Sequence, residues 1–267
     1  MEDLALAARW VREGGAVALT GAGISVDSGI PDFRSRGGLW ERFEPSEYAT
    51  IEALDRDPDK VWRMLREMGR LVAEARPNPG HEALARLETL GLLDGVITQN
   101  IDDLHQAAGS RHVVEFHGNA RALRCLRCDA RSRQDRPPPG EKAPRCPACG
   151  GVLRPQVVFF GEPIPPSAMA EAARLARGCR TMLVVGTSAT VAPASLLPFM
   201  AKEAGARLVE VNLEPTSLSW AADLSLAGRS ASVTLPELVR AVEDSPAAAA
   251  PRGGPPGRGC PTPRETG

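Results

Sequence analysis

The sequence has no excess of either charge, no long apolar run and almost no lysine. Its 32 basic residues against 33 acidic ones leave a formal net charge of -1 at pH 7. No global positive field therefore favours nucleic acid or an anionic membrane, and partners have to be argued from local sites. No stretch approaches the roughly 20 consecutive apolar residues that a membrane-spanning helix needs. The opening MEDLALAARWVREGG alternates charged and apolar side chains and lacks the basic start and unbroken apolar stretch of a secretory signal. It reads as an amphipathic helix, and the whole as a soluble, cytoplasmic protein. Only Lys60, Lys142 and Lys202 interrupt an otherwise all-arginine set of bases, a skew from which no chemistry follows.

What is present is an alternation. With 267 residues, 43% of them hydrophobic, the chain can bury the core of one domain carrying small inserts. Short β-branched runs at 16–20, 95–98, 113–116, 156–159, 182–186 and 208–212 are expected as strands. Apolar spacing of three and four at 3–13, 79–90, 167–177, 194–204 and 236–243 marks helices between them. That order predicts a doubly wound α/β fold with a parallel sheet covered on both faces. Two segments break the alternation: 37–77, read as loop plus helix, and 121–154, with paired cysteines around a proline-rich stretch. Residues 245–267, rich in Pro, Gly and Ala, are expected to be a disordered tail.

Cys125, Cys128, Cys146 and Cys149 form two C-x2-C knuckles. Each presents a pair of thiolates to one ion, and four sulfurs complete the closed tetrahedral shell of a structural Zn²⁺ that performs no chemistry. Cys179 is expected to fill core and Cys260 to sit in the tail.

Three further clusters follow strands. The first strand runs into Gly21, Ala22, Gly23, Ile24 and Ser25, where glycines let backbone N–H groups approach a pyrophosphate, or merely make a tight turn. The second runs into Gln99, Asn100, Ile101, Asp102 and Asp103, residues that also serve as loop formers and caps. The third ends in His117 and Gly118, and a histidine at a strand end facing that crevice suits a general base near neutral pH. His81, His105 and His112 lack such a context and are not assigned a catalytic role.

Taken in order, GAGIS, GIPDFRS, GLW, TQNIDDLH, HG, the cysteine quartet, VVFFGE, GTS and NLE resemble the sirtuin family over about residues 1 to 243. The resemblance implies a Rossmann-like NAD-binding domain (1–36, 78–120 and 155–244), a helical module with a cofactor loop (37–77) and a small zinc-binding module (121–154). It implies that Gly21, Ala22, Gly23 and Ser25 hold NAD⁺ phosphate or ribose, and that Asp32, Phe33 and Arg34 form a mobile loop over the cofactor, closed by Trp40. Gln99 and Asn100 would contact the nicotinamide ribose, and Ile101 and Asp102 the carboxamide. Gly186, Thr187, Ser188, Asn212, Leu213, Glu214 and Ala231 would lie on the adenosine side.

The activity it implies is NAD-dependent protein-lysine deacylation, with His117, Asn100 and Asp102 as the catalytic set and acylated lysine proteins as partners. The acyl-lysine peptide would add as a strand between Val157, Val158, Phe160, Gly161 and Glu162 on one side and Val191 and Ala192 on the other. Members that remove succinyl or malonyl groups carry a Tyr and an Arg on the helix before the PN-x-GH segment. Here those places hold Leu65 and Met68, so neutral acyl groups are expected. No nucleic acid or membrane partner is expected, and the chain reads as a monomer. Two rivals stay open: a mono-ADP-ribosyltransferase using the same pocket, and a zinc-ribbon binding module on an inactive Rossmann domain.

Overall fold

A computed structural model of the chain describes residues 2–33 and 38–244. In chain order its elements are α1 (Glu2–Arg12), β1 (Ala16–Thr20), α2 (Pro45–Tyr48), α3 (Ile51–Arg56), α4 (Pro58–Glu74), α5 (Pro79–Thr89), β2 (Leu93–Thr98), α6 (Leu104–Ala107), β3 (Val113–Glu115), β4 (Gly118–Cys125), β5 (Arg131–Arg133), β6 (Leu153–Val157), α7 (Pro166–Gly178), β7 (Thr181–Val185), α8 (Leu197–Glu203), β8 (Arg207–Asn212), β9 (Leu224–Ala227) and α9 (Ala231–Asp244). None of the described helices is long and apolar enough to cross a membrane. Arg34 and the tail from Ser245, Cys260 included, lie outside the described residues.

Six strands form one sheet in the order β3-β2-β1-β7-β8-β9, every pair parallel. Numbered within the sheet, this is the 3-2-1-4-5-6 order of a Rossmann fold, whose ligands bind beyond the strand carboxyl ends where the order reverses. Here the reversal falls between β1 and β7. Both strands are buried along their whole length, as helices on both faces of a parallel sheet require. α1, α5 and α9 cover one face through Val11, Leu84, Leu87, Leu235 and Leu238. α7 and α8 cover the other through Leu175, Ala176, Leu197 and Ala201.

The expected strand at 156–159 is a correction. Its first residues belong to β6, which runs antiparallel to β4 in a second sheet ordered β5-β4-β6. Pro155 suits that place, because a residue without an N–H is tolerated on an edge strand and not inside a ladder. β4 and β5 themselves escape the apolar pattern: GNARALRC and RSR are arginine-bearing, and β5 is fully exposed. α9 begins at Ala231, five residues before the expected start. The buried stripe Ala231, Leu235, Leu238, Val239 and Val242 outweighs the intrahelical bond that Pro236 removes.

The two insertions join into one wall beside the main sheet. Trp62 of α4 packs with Leu123, Cys125, Ala143, Cys146 and Leu153, and its indole N–H donates to Leu153 O at 2.8 Å. α3 and α4 also meet the end of β6, where Ala53, Leu54 and Val61 pack with Val157 and Phe159.

Candidate active site

At the reversal point the loops after β1 and β7 interlock. Gly21 N–H donates to Val185 O at 3.0 Å and Gly23 N–H to Gly186 O at 2.8 Å. A Cβ on Gly23 would lie 2.8 Å from Gly186 Cα, and one on Gly21 2.7 Å from Thr187 Cβ. Gly186 itself has φ +58° and no room for a side chain against Ile24 N. The glycines thus permit loop-on-loop contact, and the N–H groups of Gly21 and Gly23 are taken by protein carbonyls. Thr187 ties in two more expected residues: Gln99 Nε2 donates to its hydroxyl at 3.0 Å and Asn212 Nδ2 to its carbonyl at 3.2 Å. Ser188, Leu213 and Glu214 are exposed at the rim. Ala22 opens the turn Ala22–Ser28 that leads out of this contact. Ala231 is buried at the start of α9, its carbonyl carbon 3.2 Å from where a Cβ on Gly80 would lie.

Below these loops lies a buried polar floor whose proton positions follow from its donors. Asn78 N–H points at His81 Nδ1 (3.3 Å), so that nitrogen accepts and Nε2–H faces Ser25 Oγ at 3.4 Å. Ser25 Oγ also accepts from Asn100 Nδ2 at 3.1 Å and donates to Asp102 Oδ2 at 2.7 Å. Asn100 Nδ2 further reaches Gly21 O at 3.2 Å. Thr20 Oγ1 donates to Thr98 Oγ1, so it accepts from His105 Nε2–H, both at 2.9 Å. Burial holds His81 down to about 4 and His105 to about 3, so both imidazoles are neutral near pH 7. Burial pushes the Asp102 carboxyl up, against hydrogen bonds from Leu104 N–H and the Ser25 hydroxyl. Asn78 pins the floor to the glycine turn by donating to Ile24 O at 2.7 Å.

His117 stands at the junction of β3 and β4. Its Nδ1 lies 3.0 Å from Gln99 O. A carbonyl only accepts, so Nδ1 carries the proton and Nε2 keeps its lone pair. Burial lowers the His117 pKa, with the Gln99 carbonyl opposing, which keeps the ring a neutral base. Gly118 has to be glycine: with φ +79°, a Cβ would sit 2.0 Å from Gln156 O.

The segment after β6 turns away from His117 by way of Val158 N–H, which donates to His117 O at 2.9 Å. Phe160 N–H is taken by Ala49 O, and Phe160 O by Ile51 N–H. The Glu162 carboxylate grips the buried Arg154 guanidinium at 2.6 and 2.7 Å and accepts from Phe159 N–H at 2.9 Å. Arg154 in turn lies over the Phe159 ring and donates to Val157 O. Trp40 bridges the cofactor loop to this segment, its ring 5.0 Å from Phe33 and 6.4 Å from Phe160. Trp40 N–H donates to Phe33 O, and Leu39 N–H to Asp32 O. Val191 and Ala192 precede a cis Pro193.

The Sir2 family model matches residues 21–193. The chain belongs to the Sir2 family. Among Sir2 relatives, NAD-dependent protein deacylase 2 of Pyrobaculum aerophilum is 52% identical over 227 residues, covering 85% of this chain and 90% of that protein. A crystal structure of a Sir2 homologue with NAD superposes with TM-score 0.84 at 42% identity, covering 88% of this chain and 92% of the other. A Sir2 protein bound to a myristoylated histone peptide superposes with TM-score 0.76 at 37% identity, covering 91% and 97%.

The cysteine quartet of this Sir2 chain fits a metal. The four sulfurs lie within 4.8 Å of one another, with Cys125 and Cys149 3.4 Å apart and Cys128 and Cys146 3.7 Å apart. A tetrahedron of Zn–S bonds needs sulfurs about 3.8 Å apart. The Arg127 side chain lowers the Cys149 thiol toward the thiolate that a metal ligand has to be, while the neighbouring thiols push Cys128 up. Cys179 is buried and donates to Ala176 O, as core filling requires.

The motifs quoted for this Sir2 site contain Thr98 and His105, at the two ends of TQNIDDLH, and His81, at the end of PN-x-GH, but give these residues and Thr20 no role; the sheet brings them together. The one local signal is Asn78 followed by His81: the pair forms a capping box that starts α5, with Pro79 in the first turn. Arg154 has no local signal at all.

Proposed function

We infer that this chain is an NAD⁺-dependent protein-lysine deacylase, which moves an acyl group from lysine to ADP-ribose and releases nicotinamide. The observation that carries this reading is His117, with Nδ1–H engaged by Gln99 O and Nε2 left as a base, beside the crevice where NAD binds in a Rossmann sheet. The loops at 21–25 and 186–188 receive the dinucleotide, with Asn212, Leu213, Glu214 and Ala231 toward adenosine. Asn100 and Asp102, oriented by Ser25, face the nicotinamide ribose and carboxamide together with Gln99 and Ile101. Arg34 belongs to the same cofactor loop as Asp32, Phe33 and Trp40.

The acyl oxygen of the lysine amide attacks C1′ of the nicotinamide ribose as the bond to nicotinamide breaks. His117 then takes the proton of a ribose hydroxyl, whose oxygen attacks the former amide carbon. Water completes release of free lysine and O-acyl-ADP-ribose. Excluding water before that step matters, since it would hydrolyse the ADP-ribosyl intermediate. Zn²⁺ on the four cysteines holds the wall and takes no part in the reaction. Leu65 and Met68, both on α4, present no charge to an acyl group. We read the substrate as a neutral acyl-lysine protein and the enzyme as a cytoplasmic monomer that needs neither nucleic acid nor membrane.

The test is incubation with NAD⁺ and acyl-lysine peptides, products read by mass spectrometry, for wild type and His117→Ala. The expected products are nicotinamide, free lysine peptide and O-acyl-ADP-ribose, with the variant down by roughly 10²–10⁴-fold at unchanged zinc content. ADP-ribosylated protein without O-acyl-ADP-ribose would establish the transferase instead. A succinyl peptide turned over as fast as the acetyl peptide would refute the neutral-acyl preference.

A further inference from the structure

A cleft separates α4 from the small sheet. One side is Trp62, Leu65, Met68, Gly69 and Val72, and the other is Ala120, Leu123, Pro155 and Val157. Ile101 and Val157 both line it, so the cleft shares residues with those given above to nicotinamide and to the acyl-lysine segment. Including its solvent-open mouth it spans about 560 Å³, and Pro137 and Pro138 line it, so a long acyl chain has to displace a wall.

The wall able to give is the loop 134–138, which has no regular structure and closes the cleft with Pro137 and Pro138. Pro137 sits in a notch of α4. A Cβ on Gly69 would lie 3.0, 3.1 and 3.2 Å from the Pro137 ring carbons. Glycine inside a helix costs up to about 1 kcal/mol relative to alanine, and this close approach is the one feature of α4 that requires it. Three contacts tie the loop down. Arg66, 5% exposed, donates from Nε to Pro138 O at 2.9 Å and from Nη2 to Lys142 O. Asp59 accepts from Ala143 N–H at 2.7 Å. At the other end Gln134 N–H donates to Arg121 O at 2.9 Å. Arg121 and Arg136 also line the cleft, and Arg121 already faces the Asp103 carboxylate at 3.5 Å.

We propose that Pro137, seated against Gly69 and tethered through Arg66, is the stop that sets the acyl-chain length this enzyme accepts. The proposal rests on the deacylase reading and specifies its substrate: short neutral acyl groups fit, and long ones enter only by lifting the 134–138 loop. Arg66 is a positioning residue, acting on the acyl chain through the loop it holds.

The experiment uses the full zinc-loaded chain, NAD⁺ and one peptide carrying acetyl, butyryl, hexanoyl, decanoyl or myristoyl lysine. Wild type is expected to favour chains of up to about six carbons and to lose at least tenfold in kcat/KM by myristoyl. In Pro137→Ala, and independently in Arg66→Met, the myristoyl-to-acetyl ratio of kcat/KM is expected to rise about tenfold. Zinc content and melting temperature report whether each variant is folded, and a general loss of stability leaves that ratio unmoved. Unchanged ratios in two folded, active variants overturn the stop alone. Absence of turnover and of nicotinamide release with every peptide in wild type overturns the deacylase reading and the stop with it.

Discussion

The floor of the site, built from Thr20, Ser25, His81, Thr98, Asn100, Asp102 and His105, and its side wall, built from α4 and the cysteine module, are stabilised by different means. The floor hangs from the strongest part of the molecule, the ends of β1 and β2, and its tautomers are fixed by a chain of backbone and hydroxyl partners. The wall has a small core of its own around Trp62 and Leu153 and is fastened by the four thiols, Arg66 and Arg154. Buried networks of the first kind stiffen as their members are satisfied, and in this one His105 Nδ1 is left without a partner among the described residues. Small modules of the second kind take their folding energy from the metal. The proposed reading gives the two regions separate roles, in which the floor holds the geometry common to every turnover and the wall selects what is turned over.

Removing the metal breaks the comparison most severely. Structural zinc contributes on the order of 10 kcal/mol, far more than the packing of so small a cluster supplies. Dialysis against a strong chelator is expected to abolish peptide turnover and to expose residues 118–157 and α4 to hydrogen exchange, while amides of β1 and β7 stay protected. Protection of 118–157 that survives metal loss would show that the wall stands by itself.

The floor is the acid-sensitive region. His81 and His105 are held far below the ordinary value of 6.5, so the unfolded chain binds their protons first. The stability they contribute is fully present above pH 6.5. It is lost as pH falls toward about 4 for His81 and about 3 for His105. These amount to on the order of 3 kcal/mol for His81 and 5 kcal/mol for His105. Asp102, pushed up by burial, works in the opposite sense on acidification and reduces the total. Denaturant unfolding is expected to show stability falling steadily from pH 6.5 to 5 with zinc still bound. Histidine C–H resonances of His81 and His105 that titrate near 6.5 would sink the account.

The legibility of these two regions from sequence differs for a physical reason. β1 and β7 are apolar along their whole length because both faces are covered, and that burial is written directly in AVALT and TMLVV. The quartet is legible because metal geometry imposes a fixed spacing on adjacent residues. The floor is assembled across the sheet from positions up to 85 residues apart, Thr20 and His105, and no local pattern encodes such a contact. Glu162 illustrates the same limit on the wall. Its place in VVFFGE locates the segment, but the direction of its carboxylate depends on Arg154, a residue that the strand pattern treats only as an odd charge. The glycines of GAGIS locate a turn, but that they make room for Gly186 appears only when β1 and β7 lie side by side.

Arg154→Met separates wall from floor with the smallest expected change. It deletes a guanidinium that is almost wholly buried, while Glu162 keeps about a fifth of its side chain in contact with solvent (4% and 21% exposed). A fully buried pair broken on one side costs roughly 3–5 kcal/mol; the access Glu162 retains brings the expectation nearer 2 kcal/mol. The lost contacts hold Val157 O and, through Glu162, Phe159 N–H, so the segment opposite Val191 loosens while the loops at 21–25 and 186–188 keep every partner. The KM for an acyl peptide is therefore expected to rise about tenfold, with the KM for NAD⁺ within twofold of wild type. Glu162→Gln, which preserves an oxygen acceptor for Phe159 N–H and removes only the charge, is expected to fall between the two. Steady-state kinetics with each substrate varied in turn decides the matter: an equal rise in both KM values would mean that Arg154 supports the whole site, and that wall and floor are not separable there.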